Sequence, residues 1–172
     1  MMDEICWEGK FLRIRKTGHW EWAQRCGTVG GVHIVPLTQD DHLILIEQFR
    51  VPMGCRVLEW AAGLVGDNDQ QETALDAARR ELLEECGYTA ARWIDCGRFP
   101  SSAGMTDECC RLVLALNAKR VAEGGGVDNE RITTHCVPRS QIDAFIQSKI
   151  NDGLLVTPHL YAGLYLLERH LK

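Results

Sequence analysis

Residues 72–86 restrict the fold more than any other part of the chain, because they combine a helix-forming composition with acids on one side. The segment contains no Gly, Pro, Val or Ile, and Gly87 follows where a left-handed residue commonly ends a helix. At about 100° per residue, Glu84 and Glu85 lie within roughly 60° of Glu81. The neighbouring stripe is apolar and consists of Leu75, Ala78 and Leu82. The spacing therefore predicts a helix with an acidic face beside a face that packs against a core.

The acidic face of this helix has two interpretations. Like charges at neighbouring helical positions repel one another by roughly 0.5 kcal/mol per pair, and the two arginines of the segment, Arg79 and Arg80, lie away from the centre of the acidic cluster. Clustered carboxylate oxygens are the ligands that Mg²⁺ or Mn²⁺ prefers, and these ions commonly bind substrate phosphates as well. Spacing alone leaves a divalent-metal site and a solvent-exposed face as equal alternatives.

The net charge of the chain is concentrated in one region. The sequence has 24 acids and 19 bases, for a formal net charge of -5. Residues 59–85 contain eight of those acids and two arginines, so the rest of the chain is nearly neutral. The excess of acids argues against nucleic acid and against a membrane surface as partners, since both attract basic surfaces. It does not argue against a small phosphate substrate if a divalent metal fills the acidic region first.

Length and apolar pattern predict one soluble domain. A chain of 172 residues, 45% of them hydrophobic, is long enough to bury a core. Its apolar runs are far shorter than the roughly 20 residues of a membrane-spanning helix, and the N-terminus lacks the apolar core of a signal peptide. We therefore expect a cytoplasmic protein whose eight cysteines are reduced and mostly buried. None of them forms a Cys-x-x-Cys pair, so no zinc site is predicted.

Apolar runs and helix-like stripes predict a mixed chain of strands and helices. Residues 4–25 have two aromatic-rich stretches around Lys16-Thr17-Gly18 and are expected to form a hairpin. Further predicted strands cover residues 30–37, 42–51, 111–117 and 132–137. Predicted helices cover residues 72–86, 139–149 and 158–171, the last with Thr157 as N-cap and Pro158 at its first position. This order of elements predicts an α+β or layered α/β domain.

A longer pattern surrounds the acidic helix. Its fixed positions are Gly66, Glu72, Arg80-Glu81-Leu82, Glu84-Glu85 and Gly87-Tyr88. They match every fixed position of the Nudix box, so the sequence resembles the Nudix hydrolases, which cleave nucleoside diphosphates linked to another moiety. The resemblance implies an α/β/α sandwich with a mixed sheet, together with an N-terminal antiparallel hairpin or sheet. It also implies that Glu81, Glu84 and Glu85 hold Mg²⁺ or Mn²⁺ and that Arg80 orients these carboxylates through ion pairs.

Two shorter motifs resemble the ADP-ribose pyrophosphatase subgroup of this family. Gln48-Phe49-Arg50 looks like the subgroup's Gln-Tyr-Arg, which implies that Arg50 contacts a substrate phosphate; an ion pair with Glu47 or Glu59 is the alternative. Glu59-Trp60-Ala61-Ala62-Gly63 looks like Glu-U-Pro-Ala-Gly, which implies that Glu59 lies at the substrate and that the carbonyl oxygen of Ala62 is a metal ligand.

The second motif departs from the subgroup's pattern. Ala61 stands where the subgroup has proline, and Glu72 follows Gly63 at a greater distance than in most of the subgroup. Gly66 therefore takes the role of the box glycine. The apparent insertion between Leu64 and Gln71 affects the expected carbonyl ligand more than the carboxylates.

Two loops resemble parts of the same subgroup. Residues 102–108 look like its Ser-Pro-Gly-x-x-x-Glu loop, with Ala103 in place of proline, which implies that Gly104 belongs to the substrate site. It also implies that Glu108 lies near the terminal ribose or the metals; a surface acid is the alternative. Residues 124–130 resemble a glycine-rich loop with acids near the cleaved bond. Asp128 and Glu130 are then candidates for the general base that takes a proton from the attacking water, and an ordinary solvent loop is the alternative.

The N-terminal aromatic residues complete the expected site. Trp20 and Trp22 are expected to stack on adenine, with a core or interface role as the alternative. Arg56 is expected to add positive charge for the phosphates. In the subgroup the N-terminal region often packs on a partner subunit, which implies a homodimer in which residues 1–25 form a dimerising hairpin and residues 26–172 form the Nudix domain.

The resemblance predicts a magnesium-dependent enzyme that hydrolyses ADP-ribose or a related ADP-sugar to AMP and a sugar phosphate. Two alternatives stay open. One is a Nudix hydrolase for GDP-mannose, a dinucleotide or an oxidised nucleoside triphosphate. The other is a module that binds a nucleotide sugar without cleaving it.

Overall fold

The N-terminal region forms a separate three-stranded antiparallel sheet. The computed structural model describes residues 3–28, 30–66, 69, 71–127 and 131–172. The first three strands are β1 (Asp3–Glu8), β2 (Leu12–Thr17) and β3 (Trp20–Arg25). Gly18 and His19 connect β2 to β3, and Gly18 has the positive φ of 62° that a tight turn requires. The predicted hairpin is therefore present, and β1 adds a third strand to it.

In the described part of the chain, eight further strands form one mixed sheet. They are β4 (Gly31–Thr38), β5 (His42–Arg50), β6 (Cys55–Glu59), β7 (Ala61–Leu64), β8 (Tyr88–Pro100), β9 (Cys109–Arg120), β10 (Thr133–Pro138) and β11 (Leu155–Val156). The strand order is β11-β6-β5-β4-β9-β8, with β10 paired to β5 and β7 paired to β4. The pairs β4–β9 and β6–β11 are parallel, and the other pairs are antiparallel.

Three α-helices cover the two faces of this sheet. They are α1 (Ala74–Cys86), α2 (Ile142–Asn151) and α3 (Pro158–Leu171), and short 3-10 turns cover Val51–Met53 and Arg139–Gln141. Along β4, Val32 and Ile34 belong to the core cluster that contains the buried residues of α1. The next residue, Val35, belongs to the cluster that contains buried residues of α2 and α3. This alternation buries both faces of the sheet, and the predicted α/β/α sandwich is confirmed.

Strands in partly polar segments account for most of the differences between expectation and structure. The strands β6, β7 and β11 are only 5, 4 and 2 residues long, and β8 is 13 residues long but has no regular alternation of buried and exposed positions. These four strands were not predicted, because such segments carry little periodicity. The prediction of mostly buried cysteines was also wrong in part. All eight are free thiols, but only Cys86 and Cys110 are buried, and Cys6 and Cys136 are exposed.

The N-terminal sheet docks on the loop before β9. The backbone N–H of Ala23 donates to the carbonyl oxygen of Met105 over 2.8 Å, and Ala23 forms a parallel bridge with Thr106. The side chains of Gln24 and Arg25 bond to Asp107 and Glu108 in the same loop. A division into residues 1–25 and 26–172 stays a prediction. Among the described residues, no helix is both long enough and apolar enough to span a bilayer.

Candidate metal and substrate site

Helix α1 is fixed at both ends by local interactions. The Thr73 side chain accepts a hydrogen bond from the N–H of Asp76 at the start of the helix. Gly87 ends the helix in a left-handed conformation with φ of 73°, as the sequence predicts. Before the helix, the N–H of Gly66 donates to Glu72 Oε2 over 3.1 Å. The first and second fixed positions of the sequence pattern are therefore in direct contact.

Arg80 connects three of the carboxylates. Its Nε donates to Glu72 Oε1 over 2.9 Å, and its Nη1 donates to Glu81 Oε1 over 2.7 Å and to Glu84 Oε2 over 3.1 Å. The hydrogen bond to Glu72 and the charge of Glu81 raise the pKa of Arg80. In turn, the hydrogen bond from Arg80 lowers the pKa of Glu72. Because Arg80 Nη2 also donates to the carbonyl oxygen of Leu64 over 3.2 Å, this guanidinium joins the helix to the end of β7.

Glu85 and Glu81 face the strand β7. Glu85 is 4% exposed, and its Oε2 accepts a hydrogen bond of 2.9 Å from the backbone N–H of Ala62. Glu81 lies against the backbone of Gly63, where a Cβ would come within 1.8 Å of Glu81 Oε1. Three carboxylates of one helix and the backbone of β7 are thus brought together, as predicted for Glu81, Glu84, Glu85 and Ala62. The metal-ligand roles of these three carboxylates and of the Ala62 carbonyl oxygen stay predictions.

A cavity of about 460 Å³ opens beside Glu81. Its lining also includes Arg50 and Glu108, which the sequence predicts to contact a substrate, together with Arg25 and Gly63. Arg50 donates to Glu59 through Nε over 3.1 Å and through Nη2 over 2.5 Å, and Glu59 is 5% exposed. The ion pair that was the alternative for Arg50 is therefore present, and it also holds the guanidinium at the cavity wall.

A second cavity of about 460 Å³ lies between the N-terminal sheet and the loop before β9. Its lining includes Trp20, Trp22, Ala103, Gly104 and Asp107. The structure therefore brings the two predicted stacking residues together with the predicted loop glycine. The indole Nε1 of Trp22 is buried and has no hydrogen-bond partner among the residues described.

A smaller cavity of about 170 Å³ neighbours both larger ones. It shares Asp107 with the aromatic cavity and shares Arg25 and Glu108 with the carboxylate cavity. Arg25 Nε donates to Glu108 Oε1 over 2.7 Å between them. The three cavities therefore lie next to one another between the tryptophans and the acidic helix, and together they are named the channel.

Sequence reasoning missed Arg25 as a site residue. It is 83 positions from its partner Glu108, and no local motif marks it. The contact arises only because the N-terminal sheet docks on the loop before β9. The close approach of Gly63 to Glu81 was also missed, because it depends on another tertiary contact, the packing of β7 on α1.

The glycine-rich loop is attached to the C-terminal end of α1. The N–H of Gly125 donates to the Glu85 carbonyl oxygen over 2.9 Å, and the N–H of Gly126 donates to that of Glu84 over 3.1 Å. Gly124 has φ of 73°, and a Cβ there would lie 2.4 Å from the carbonyl carbon of Cys86. The loop is therefore held directly behind the carboxylates. The predicted general bases, Asp128 and Glu130, lie outside the described residues.

Arg56 lies in a different cluster from the predicted phosphate contacts. It is two residues before Leu58 on β6, on the sheet face that packs against α2 and α3, whereas Glu59 faces α1. Its Nε donates to Glu47 Oε1 over 2.5 Å, and Glu47 also accepts from Lys149 Nζ over 2.8 Å. The structure does not bring Arg56 to the acidic helix.

The electrostatics of this second cluster are those of a structural ion pair. Burial opposes ionisation of Glu47, but hydrogen bonds from Lys149, Arg56 and His135 outweigh it and lower the pKa of Glu47 to about 2. Burial lowers the pKa of His135, although the hydrogen bond between His135 and the Glu47 carboxylate opposes this shift. Glu47 is therefore a carboxylate fixed by cations on the α2 face.

Comparison with known families places the acidic helix in a recognised domain. The NUDIX domain family matches residues 27–142 of this chain. That span contains the whole pattern from Gly66 to Tyr88 and all strands of the mixed sheet except β11. The sequence-based assignment to the Nudix hydrolases is therefore confirmed.

Curated relatives include pyrophosphatases with different substrates. A nudix hydrolase of Caenorhabditis elegans is 26% identical over 183 residues, covering 93% of this chain and 81% of that protein. An ADP-ribose pyrophosphatase of Bacillus subtilis is 32% identical over 102 residues, covering 59% of this chain and 53% of that enzyme. A GDP-mannose pyrophosphatase of Klebsiella pneumoniae is 32% identical over 123 residues, covering 66% of this chain and 60% of that enzyme. The chain thus spans less than two thirds of both bacterial enzymes.

A solved structure supports the fold. A crystal structure described as an ADP compounds hydrolase superposes with a TM-score of 0.74 at 19% identity. The match covers 99% of this chain and 92% of that one. The architecture, including the N-terminal sheet, therefore occurs in an experimentally determined structure.

Proposed function

The chain belongs to the NUDIX domain family, and on that basis we propose that it hydrolyses the diphosphate bond of ADP-ribose or a related ADP-sugar. The products would be AMP and a sugar phosphate. The observation that supports this substrate class is the row of neighbouring cavities between Trp20 and Trp22 and the acidic helix. A nucleoside diphosphate sugar has an aromatic base at one end and a charged diphosphate farther along. The order of aromatic and charged walls in the channel matches that order.

Members of this family generally use a divalent metal, and the α1 side chains fit one. Three carboxylates supply hard oxygen ligands, and the missing side chain at Gly63 leaves space for Glu81 beside β7. Glu81, Glu84 and Glu85 would hold Mg²⁺ or Mn²⁺, with the Ala62 carbonyl oxygen as a further proposed ligand. Such a metal supplies positive charge for the diphosphate and lowers the pKa of the attacking water.

The remaining side chains have roles that follow from their contacts. Arg80 is a positioning residue, because its fork of donors holds Glu72, Glu81 and Glu84 in fixed orientations. The Arg50 guanidinium, held by Glu59, faces the cavity and is placed to bind a phosphate oxygen. Asp128 or Glu130 is proposed as the base that takes the proton from water.

A panel of substrates tests this proposal. The purified chain is incubated with Mg²⁺ and ADP-ribose, other ADP-sugars, GDP-mannose, a dinucleotide and an oxidised nucleoside triphosphate, and each product is quantified. We expect the highest kcat/KM for an ADP-sugar, with AMP as product. Highest turnover of GDP-mannose would instead favour the activity named for the Klebsiella relative. Tight binding of ADP-ribose without turnover of any compound would favour a non-catalytic binding module.

One substitution tests the metal site itself. Glu85→Gln removes a negative charge but retains the shape of the side chain, and we expect kcat to fall at least about 100-fold. Glu168→Gln is the matched control, because that carboxylate lies on α3 and pairs with Arg139 away from the channel. Near-normal turnover by a folded Glu85→Gln protein would contradict the assignment of the metal ligands.

A homodimer is part of the proposal. The N-terminal sheet and its first connection expose large apolar side chains, namely Ile5, Trp7, Phe11, Leu12 and Trp20. Exposed apolar surface of this kind is typical of an interaction surface. Sedimentation equilibrium of the purified chain tests the proposal, and a monomer mass at all concentrations would contradict it.

A further inference from the structure

A second group of potential metal ligands lies beside the channel. It consists of His33 on β4, Cys110 on β9 and His159 on α3, and one ligand atom from each lies within 4.8 Å of the other two. Cys110 is buried, and both histidines are partly buried. These residues are far apart along the chain. Sequence spacing therefore could not reveal the group, and the absence of a Cys-x-x-Cys pair does not bear on it.

The fold brings the three side chains together through fixed contacts. Strands β4 and β9 run parallel, and Gly31 lies opposite Cys110. Gly31 precedes His33 by two residues on β4. A Cβ at Gly31 would lie 3.1 Å from Cys110 Sγ, so the glycine leaves room for the thiol. The indole Nε1 of Trp60 donates to the His159 carbonyl oxygen over 3.1 Å and fixes the start of α3.

The state of His33 is that of an unused ligand. Its Nδ1 is buried and has no hydrogen-bond partner among the described residues. A buried polar atom in this state has lost its hydrogen bonds to water without replacement, which is unfavourable. Burial, with the nearby His159 and Arg50, lowers the pKa of His33 to about 3, so the imidazole is neutral. A neutral imidazole is the form that binds a metal.

From these contacts we propose that His33, Cys110 and His159 form a binding site for a Zn²⁺-type cation, separate from the carboxylates of α1. Two imidazole nitrogens and one thiolate are ligands that select zinc rather than magnesium. A zinc ion with such ligands needs them about 3.5 Å apart, so the ligand atoms, which lie within 4.8 Å of one another, must move closer together. The stacked rings of His33 and His159, with centroids 4.2 Å apart, must rotate relative to each other so that both planes contain the ion.

The fourth coordination position would open towards the substrate channel. His33 and Cys110 both line the 460 Å³ cavity that also contains Glu81 and Glu108. Three protein ligands with an open position leave room for a water molecule or for an oxygen of a bound phosphate. As the zinc–sulfur bond forms, the thiol of Cys110 releases its proton to solvent. The ion and the channel would therefore be in direct contact.

Cobalt absorption tests this site independently of enzyme activity. The whole chain in excess Mg²⁺ is titrated with Co²⁺, and the thiolate-to-cobalt charge-transfer band is followed in the near ultraviolet. Carboxylates cannot produce that band, so it reports only a site with a cysteine ligand. We expect the band to saturate at one Co²⁺ per chain and to disappear when Zn²⁺ is added.

Substitutions identify the ligands. Cys110→Ser should abolish the band, and His159→Gln should weaken Co²⁺ binding at least about 10-fold. The matched control is Cys109→Ser, which changes the adjacent residue on the opposite side of β9 and should leave the band unchanged. Circular dichroism shows whether each variant is folded. Absence of the band in the unaltered chain, or its persistence in Cys110→Ser, would overturn the proposal.

Discussion

Glu81 and Gly63 are packed so closely that a side chain at residue 63 would have to displace the Glu81 carboxylate. A Cβ at that position would come within 1.8 Å of Glu81 Oε1 and 2.0 Å of its carboxyl carbon. Gly63 has no unusual backbone conformation that alanine would strain, so the close approach is the reason for glycine there. The position of a proposed metal ligand is thus set by a residue of the opposing strand.

Gly63→Ala is expected to displace Glu81 without unfolding the chain. A carboxylate moved by about 1 Å from its productive position lowers kcat about 100-fold. The measurement is kcat as a function of Mg²⁺ concentration, together with the melting temperature. Gly153→Ala is the control, because Gly153 has φ of 89° but lies in the loop after α2. That variant should lose stability and retain activity; equal loss of activity in both would contradict this account.

Arg80→Lys is expected to lower both metal affinity and stability. Lysine keeps the charge but cannot make the forked contacts to Glu72, Glu81 and Glu84. We expect the apparent Mg²⁺ affinity to fall 10- to 100-fold and the free energy of unfolding to fall by about 1–3 kcal/mol. Urea unfolding and Mg²⁺ titration of activity measure the two effects.

Arg79→Lys is the matched control for this experiment. Arg79 is the neighbouring residue on α1, is half exposed, and donates to Asp76 on the surface. Exposed pairs of this kind contribute roughly 0–1 kcal/mol, so the substitution should have little effect on either measurement. If the two variants behaved alike, the contacts of Arg80 would not be what orients the carboxylates.

The acidic helix was predictable because its information is local. The composition of residues 72–86, the cap at Gly87 and the one-sided acids all lie within one short segment. The contacts of Arg25 with Glu108 and of His33 with Cys110 and His159 were not predictable, because each joins elements that are distant in sequence. The position of Arg56 shows a further limit. One strand presents neighbouring residues to opposite faces, and an unpredicted strand such as β6 leaves that assignment open.

Arg56→Ala is expected to destabilise the protein without raising KM. The substitution removes a hydrogen-bonded partner of buried Glu47, so we expect a loss of about 1–3 kcal/mol in the free energy of unfolding at neutral pH. An increase in KM for ADP-ribose with unchanged stability would instead support the original expectation that Arg56 binds phosphate.

The same ion-pair cluster predicts a pH dependence. The pKa of Glu47 is lowered from 4.5 to about 2 in the folded chain. Its stabilising contribution is therefore complete above about pH 4.5 and is lost as the pH falls towards 2. Glu47→Gln should lower stability at pH 7, and the difference from the unaltered chain should shrink as the pH falls below 4.5. A difference that stays constant over that range would contradict this assignment.

Trp20→Ala is expected to raise KM for ADP-ribose while leaving kcat nearly unchanged. Stacking of an aromatic side chain on a base contributes about 1–3 kcal/mol, which corresponds to an increase in KM of roughly 5- to 150-fold. Tyr165→Ala is a suitable control, because this aromatic residue is 63% exposed on α3. Equal KM values for Trp20→Ala and the unaltered chain would contradict base stacking at the N-terminal sheet.

Gly124→Ala is expected to detach the glycine-rich loop from α1. A Cβ at Gly124 would lie 2.4 Å from the carbonyl carbon of Cys86 and 2.6 Å from the nitrogen of Gly87, so the backbone must move. Because the loop leads to the proposed bases Asp128 and Glu130, kcat should fall.

Gly125→Ala separates this effect from backbone strain. Gly125 also has a positive φ of 108°, but its Cβ would meet no atom within 4 Å among the described residues. A larger loss of kcat in Gly124→Ala than in Gly125→Ala supports positioning of the loop by α1, and equal losses would attribute the effect to strain alone.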